Sequence, residues 1–115
     1  MARTHAEMDP VWKALANPLR RAVLDHLREG PQTTSALAAR FPRLTRFAVM
    51  QHLRVLEDAE LVIVRREGRE RYNYLNPIPI QRIADRWVSR YMRPWTEALV
   101  GLRDELESQP REERA

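Results

Sequence analysis

Apolar residues along this chain recur at helical spacing, switch briefly to alternation, and then return to helical spacing for a long final run. Val11, Trp12 and Leu15 follow Asp9-Pro10, which predicts a first helix over Asp9–Ala16 with Asp9 as N-cap and Pro10 at its first position. Such a helix is too short to stand alone. Asn17-Pro18 repeats the start signal, after which Leu19, Val23, Leu24 and Leu27 keep helical spacing until Gly30-Pro31 ends a second helix. Thr33 can cap a short third helix running to Arg40, with Leu37 and Ala38 inward, and Phe41-Pro42 forces the chain out of it. Thr45 supplies another N-cap oxygen, and Val49, Leu53 and Leu56 form the inward stripe of a fourth helix ending near Ala59. Two helices separated by a turn of a few residues make a helix-turn-helix pattern.

From Leu61 the period changes. Val62-Ile63-Val64 is β-branched and Tyr72-Asn73-Tyr74-Leu75 alternates, with Glu67-Gly68-Arg69-Glu70 as the turn of a β-hairpin. Asn76-Pro77-Ile78-Pro79 then predicts a break, and Ile83, Trp87, Tyr91, Trp95, Leu99, Leu102 and Leu106 form a long apolar stripe on a C-terminal helix. Pro94 lies inside that stripe, where an interior proline costs about 3 kcal/mol, so a kink or two helices is expected. The fold class is therefore mainly α with a small β-hairpin: a winged helix-turn-helix with a long C-terminal dimerisation helix. One such domain is expected over residues 9–107, between a flexible N-terminus at 1–8 and a flexible acidic tail at 108–115.

At 115 residues, 43% hydrophobic and 31% charged, the chain is the size of one globular domain with a modest core. Its apolar runs fall short of the roughly 20 residues a bilayer crossing needs, and the first residues carry no apolar secretion signal, so no membrane partner and a cytoplasmic location are expected. The absence of cysteine excludes disulfides, thiolate metal sites and cysteine nucleophiles. The net charge of +4 rests on 19 Arg and one Lys. Guanidinium suits phosphate, yet a mildly basic, Arg-rich protein need bind nothing, so placement matters more than total. Arg40, Arg43, Arg46 and Arg54 occur with His52 across a stretch free of acid, whereas Asp104 to Glu113 is mostly acidic.

Opposite the apolar stripe of the fourth helix fall Arg46, Phe47, Met50, Gln51, Arg54 and Asp58. Arg and Gln in the first two turns are suited to guanine and adenine edges, and Phe47 and Met50 can meet thymine methyl groups. The competing reading is a merely solvated face, on which Phe47 and Met50 would be out of place. Arg66, Arg69 and Arg71 around Gly68 could reach phosphates or the minor groove, or simply protect a hairpin edge from aggregation. Trp12, Trp87, Tyr91, Trp95, Leu99 and Leu102 are read as a dimer interface in preference to a ligand pocket. His5, His26 and His52 are far apart, no nucleophile has a recognisable setting, and three glycines leave no phosphate loop, so no enzymatic activity, metal or cofactor is expected. His26 is read as a packing residue, and His52 as a brace for the fourth helix or a phosphate contact.

The segments Trp12-Lys13-Ala14-Leu15-Ala16-Asn17-Pro18-Leu19-Arg20-Arg21, Ala48-Val49-Met50-Gln51-His52-Leu53-Arg54-Val55-Leu56-Glu57 and Arg65-Arg66-Glu67-Gly68-Arg69-Glu70-Arg71 resemble the ArsR family of bacterial winged-helix repressors. The likeness covers about residues 9–107 and keeps the family's order. It implies a dimer built from the first and last helices, the fourth helix in the major groove and the hairpin as wing. By the family's motif the DNA-reading positions fall on Thr45, Arg46, Phe47, Met50, Gln51 and Arg54, and Asn17-Pro18-Leu19-Arg20 is structural. The family's metal sensors use a Cys pair on the third helix or a His/Asp set on the last; neither can be carried over, because Cys is absent and no His follows His52. Met50 replaces a common Ser, and Glu60 stands where Gly usually closes the helix. A metal-independent branch with a Trp-bearing final helix is the nearer match.

These readings together imply a homodimeric regulator, a repressor by expectation, on an imperfect palindrome of double-stranded DNA. No small-molecule effector is specified by the residues. The alternative is a winged-helix adaptor that binds protein and not DNA.

Overall fold

The structure, a computed structural model, describes residues 5–109, with side chains from Met8 onward. Its elements are α1 (His5–Leu15), α2 (Pro18–Leu27), β1 (Gln32–Thr33), α3 (Thr34–Ala39), α4 (Arg46–Asp58), β2 (Val62–Glu67), β3 (Glu70–Leu75), α5 (Ile78–Ile83), a π-helical segment (Ala84–Met92) and α6 (Arg93–Ser108). Two compact units divide between Ile80 and Gln81.

In the first unit the expected helix starts hold for three of four helices. Asn17 Oδ1 accepts from the backbone N–H groups of Leu19 (2.8 Å) and Arg20 (3.2 Å). Thr33 Oγ1 accepts from Ala36 N and Thr45 Oγ1 from Ala48 N, both at 3.0 Å. The start at Asp9 is corrected: α1 begins at His5 and Pro10 lies within it. Met8 explains the extension, because it is buried with Val11 and Ala14 at helical spacing. Burying such a side chain contributes about 1.5–3 kcal/mol, enough to offset most of what an interior proline costs. Of the N-terminal stretch expected to be flexible, residues 1–4 lie outside the described residues, as do 110–115 of the tail.

The Asn17-Pro18-Leu19-Arg20 segment joins α1 to α2. Arg20 Nε donates to Ala14 O (2.9 Å), Arg20 Nη2 to Lys13 O (3.0 Å) and Arg21 Nη1 to Leu15 O (2.6 Å). These carbonyls lie in the last turn of α1, where helical partners run out; Lys13 O is shared with Ala16 N at 3.3 Å.

The sheet has one strand more than the hairpin, in the antiparallel order β1-β3-β2. β1 is two residues long, too short to carry a pattern, and pairs Gln32 with Asn73 and Thr33 with Tyr72. Asn73 is fully buried, and its Nδ2 donates to Gln32 O (3.2 Å) and Thr34 Oγ1 (3.1 Å). Tyr72-Asn73-Tyr74 thus reads as a strand for its own reasons, but its middle residue ties the sheet to α3. The core of this unit comprises Val11, Val23, Leu27, Leu37, Val49, Leu53, Leu56, Leu61 and Val62.

α4 ends in a Schellman arrangement: Leu61 N bonds to Leu56 O and Glu60 N to Glu57 O, each 2.9 Å. Glu60 accordingly takes a left-handed backbone with φ of +63°. A side chain there costs roughly 1 kcal/mol that glycine avoids. Glu60→Gly is expected to stabilise the protein by about 1 kcal/mol, raising the melting temperature by a few degrees in a thermal melt. A lower melting temperature would show that contacts of the Glu60 side chain outweigh the strain.

The break expected over 76–79 shrinks to Asn76-Pro77, since α5 starts at Ile78. Asn76 makes this possible: its Oδ1 accepts from Ile78 N (3.3 Å) and its Nδ2 donates to Glu60 O (2.7 Å).

In the second unit helical residues continue past Pro94, and of the expected kink or two helices the second is seen, as a π segment that passes into α6 at Arg93. The turns before the proline open into a π-helix, and Pro94 falls in the first turn of α6. Wider turns relieve the crowding a proline ring imposes on the carbonyl four residues back. They also reconcile the stripe with helix geometry. In an α-helix four residues overshoot one turn by about 40°, so the four steps from Ile83 to Leu99 would drift about 160°. A π turn, bonded one residue further along, removes much of that drift. The π segment and α6 bury no side chain.

Candidate nucleic-acid interface

α4 carries two opposed faces. Val49, Leu53 and Leu56 are buried inward, and the helix packs on α1, α2, α3 and β2. On the outward face Arg46, Phe47, Met50, Gln51, Arg54 and Asp58 are all exposed, with Phe47 at 69% and Met50 at 47%. Large apolar side chains held in water beside Arg and Gln form a surface shaped for contact. Thr45 precedes them as the N-cap, so its hydroxyl is engaged with Ala48 N. Arg46 Nη1 donates to Ser35 Oγ at 2.9 Å, which steadies this guanidinium across the turn between α3 and α4.

The hairpin lies beside this face. β2 and β3 pair from Val62↔Leu75 to Glu67↔Glu70, leaving Gly68 and Arg69 as a two-residue turn. Gly68 has φ of +63° and Arg69 does not share that region, as a type II′ turn requires. Arg66 and Arg69 are exposed at the tip. Arg71 is not: its Nη2 donates to Glu57 Oε2 on the last turn of α4, with both side chains about one-third exposed. Between α4 and the hairpin runs a concavity of about 450 Å³ lined by Thr34, Phe47, Met50, Gln51, Arg54, Glu57, Asp58 and Arg71. Ser35, Thr34 and Glu57 escaped the sequence reading because each reaches the site through a partner distant in the chain. The Glu57–Arg71 pairing would have needed the hairpin register to find.

Partial burial, and then the nearby Arg20 charge, hold the pKa of His52 below 6.5. The folded state resists protonation that the unfolded chain accepts, so stability is full above pH 6.5 and falls as pH drops from there towards the lower folded value. His52→Gln is expected to flatten that part of the melting-temperature-against-pH curve; an unchanged slope would assign it to other groups. His26 packs edge-on against Phe41, ring centroids 5.5 Å apart, in keeping with a packing residue. Among the described residues no three His, Asp or Glu side chains gather as a metal site would need, and no helix is long and apolar enough to cross a membrane.

Along the second unit, Tyr91, Leu99 and Leu102 are exposed, Trp95 is 68% exposed, and Trp87 is half-buried. Arg86 lies over the Trp87 ring at 5.2 Å and its Nη1 donates to Tyr91 Oη at 3.2 Å. Trp12 on α1 is exposed as well.

A helix-turn-helix domain family matches residues 15–65, the span from the end of α1 through α4 into β2. The HTH-type transcriptional regulator Rv2034 of Mycobacterium tuberculosis is 36% identical over 106 residues, covering 92% of this chain and 94% of its own. The transcriptional repressor SdpR of Bacillus subtilis is 34% identical over 64% of this chain and 81% of its own. The crystal structure of the ArsR family transcriptional regulator RHA00566 superposes with a TM-score of 0.72 at 31% identity, covering 84% of this chain and 97% of that one. The chain belongs to the ArsR family. It is a winged helix-turn-helix transcriptional regulator in which α3 and α4 form the helix-turn-helix and β2-β3 the wing. The homodimeric winged helix-turn-helix DNA-binding domain Mb0332 of Mycobacterium bovis is also similar, with a TM-score of 0.60 at 29% identity over 70% of this chain and 80% of that one.

Proposed function

We propose that this ArsR-family regulator works as a symmetric homodimer that reads an imperfect palindrome with two α4 helices and represses transcription from the promoter it covers. The observation that carries the reading is the outward face of α4, where Arg46, Phe47, Met50, Gln51 and Arg54 are exposed on a helix anchored by its other side. In the major groove Arg46 or Arg54 suits guanine, Gln51 adenine, and Phe47 and Met50 thymine methyls. Arg66 and Arg69 take phosphates or the adjacent minor groove.

A second copy of the chain accounts for Tyr91, Trp95, Leu99 and Leu102 on the second unit and for Trp12 on the first, all of which a single copy leaves in water. The homodimeric relative from Mycobacterium bovis supports the same reading. Twofold symmetry then sets the two α4 helices about 34 Å apart, one turn of duplex. Repression is supported by the similarity to SdpR and by simple exclusion of polymerase from occupied DNA.

The test is a gel shift with promoter fragments from the host genome, paired with sedimentation of the free protein. One fragment class containing an inverted repeat should shift preferentially, and the free protein should sediment at twice the chain mass. Equal retardation of all fragments, or a monomer bound to a single half-site, would overturn the proposal. A salt-insensitive protein partner with no duplex binding would select the adaptor role instead.

A further inference from the structure

We propose that Glu57 and Arg71 form a clamp that sets the wing's position against α4, so that Arg71 serves as a positioning residue and leaves DNA contact to Arg66 and Arg69. The inference rests on the reading of α4 and the hairpin as groove reader and wing.

Arg71 belongs to the tip cluster by sequence, yet its guanidinium turns back to the last turn of α4 and pairs with Glu57. Both residues line the concavity between helix and hairpin, together with Met50 and Arg54. Hydrogen bonds hold the hairpin at a second point: Asn73, two residues further along β3, is buried and bonded to Gln32 and Thr34. β1 pairs with β3 as far as Tyr72; nearer the tip the two hairpin strands pair with each other, and Glu57–Arg71 joins that ladder to the reading helix.

The register supplies a second argument. Arg66 and Arg71 are directly opposed across the hairpin, and like charges so placed repel. The Glu57 carboxylate neutralises one of them, which leaves Arg66 free to extend toward a phosphate. An acidic residue beside a DNA-reading face ordinarily weakens binding by repelling phosphate; here it repays that repulsion by fixing the wing.

The experiment compares Glu57→Gln, Arg71→Gln and the reversed pair Glu57→Arg/Arg71→Glu with the unaltered protein. Amide hydrogen exchange across residues 65–72 is measured in the free protein, and affinity for the selected palindromic fragment across a salt series. Both single variants should exchange faster in the hairpin and bind about two- to fivefold more weakly, the range expected of a partly exposed ion pair. The slope of log affinity against log salt should stay as it was, and the reversed pair should restore both hairpin protection and affinity.

Tighter binding by Glu57→Gln, or a slope reduced by about one in Arg71→Gln, would overturn the clamp and make Arg71 a phosphate contact. Unchanged hairpin exchange in both single variants would overturn it as well. If the unaltered protein selects no duplex, the proposed function fails, while exchange in the free protein still decides whether the clamp exists.

Discussion

Leu53→Ala is expected to remove about 2–5 kcal/mol of stability and, with it, most operator binding at growth temperature. Leu53 is 2% exposed and sits midway along the inward stripe of α4, between Val49 and Leu56. Its truncation leaves a cavity behind the helix whose other side carries Gln51 and Arg54. Against a total of 5–15 kcal/mol for an ordinary domain, this is a large share, and it corresponds to a melting temperature lower by roughly 8–20 °C. Leu53→Met conserves volume and should cost less than about 1.5 kcal/mol. Thermal melts with parallel gel shifts check both. A loss below 1 kcal/mol in the alanine variant would mean that α4 is not anchored through this residue.

The second large effect separates sequence discrimination from affinity. Gln51→Ala should reduce discrimination between the operator and a single-base variant by about 1–3 kcal/mol, roughly 5- to 150-fold, while leaving the salt dependence intact. Arg69→Ala should weaken every duplex alike and reduce the salt slope by about one, because an exposed tip arginine meets phosphate and carries no base information. The two sites differ in setting as well: Gln51 is exposed on a helix anchored in the core, whereas Arg69 occupies the hairpin turn. Competition titrations at several salt concentrations distinguish the outcomes. Equal loss of selectivity in both variants would remove the division of roles between helix and wing.

The departures between sequence and structure share a cause. Pro10 predicts a helix start because a proline at the first position needs no partner, yet Met8 finds burial that an extended α1 provides. Pro94 predicts a kink or two helices, and the chain accommodates it through a π segment that passes into α6. In both cases local backbone preference, worth a few kcal/mol, was outweighed or accommodated by longer-range structure.

What the chain determines on its own is whatever depends on near neighbours: the caps at Asn17, Thr33 and Thr45, the Val49-Leu53-Leu56 edge of α4, the hairpin around Gly68 and the strained backbone at Glu60. Caps, helical periodicity and turn chemistry act over four residues or fewer, so they can be read along a line. Tertiary structure alone decided that Gln32 would pair with Asn73, 41 residues away, that Ser35 would hold Arg46, and that Glu57 would take Arg71 from the wing tip. Each of those contacts depends on a strand register or a packing of helices, and many distant partners satisfy the same local pattern until the core selects one.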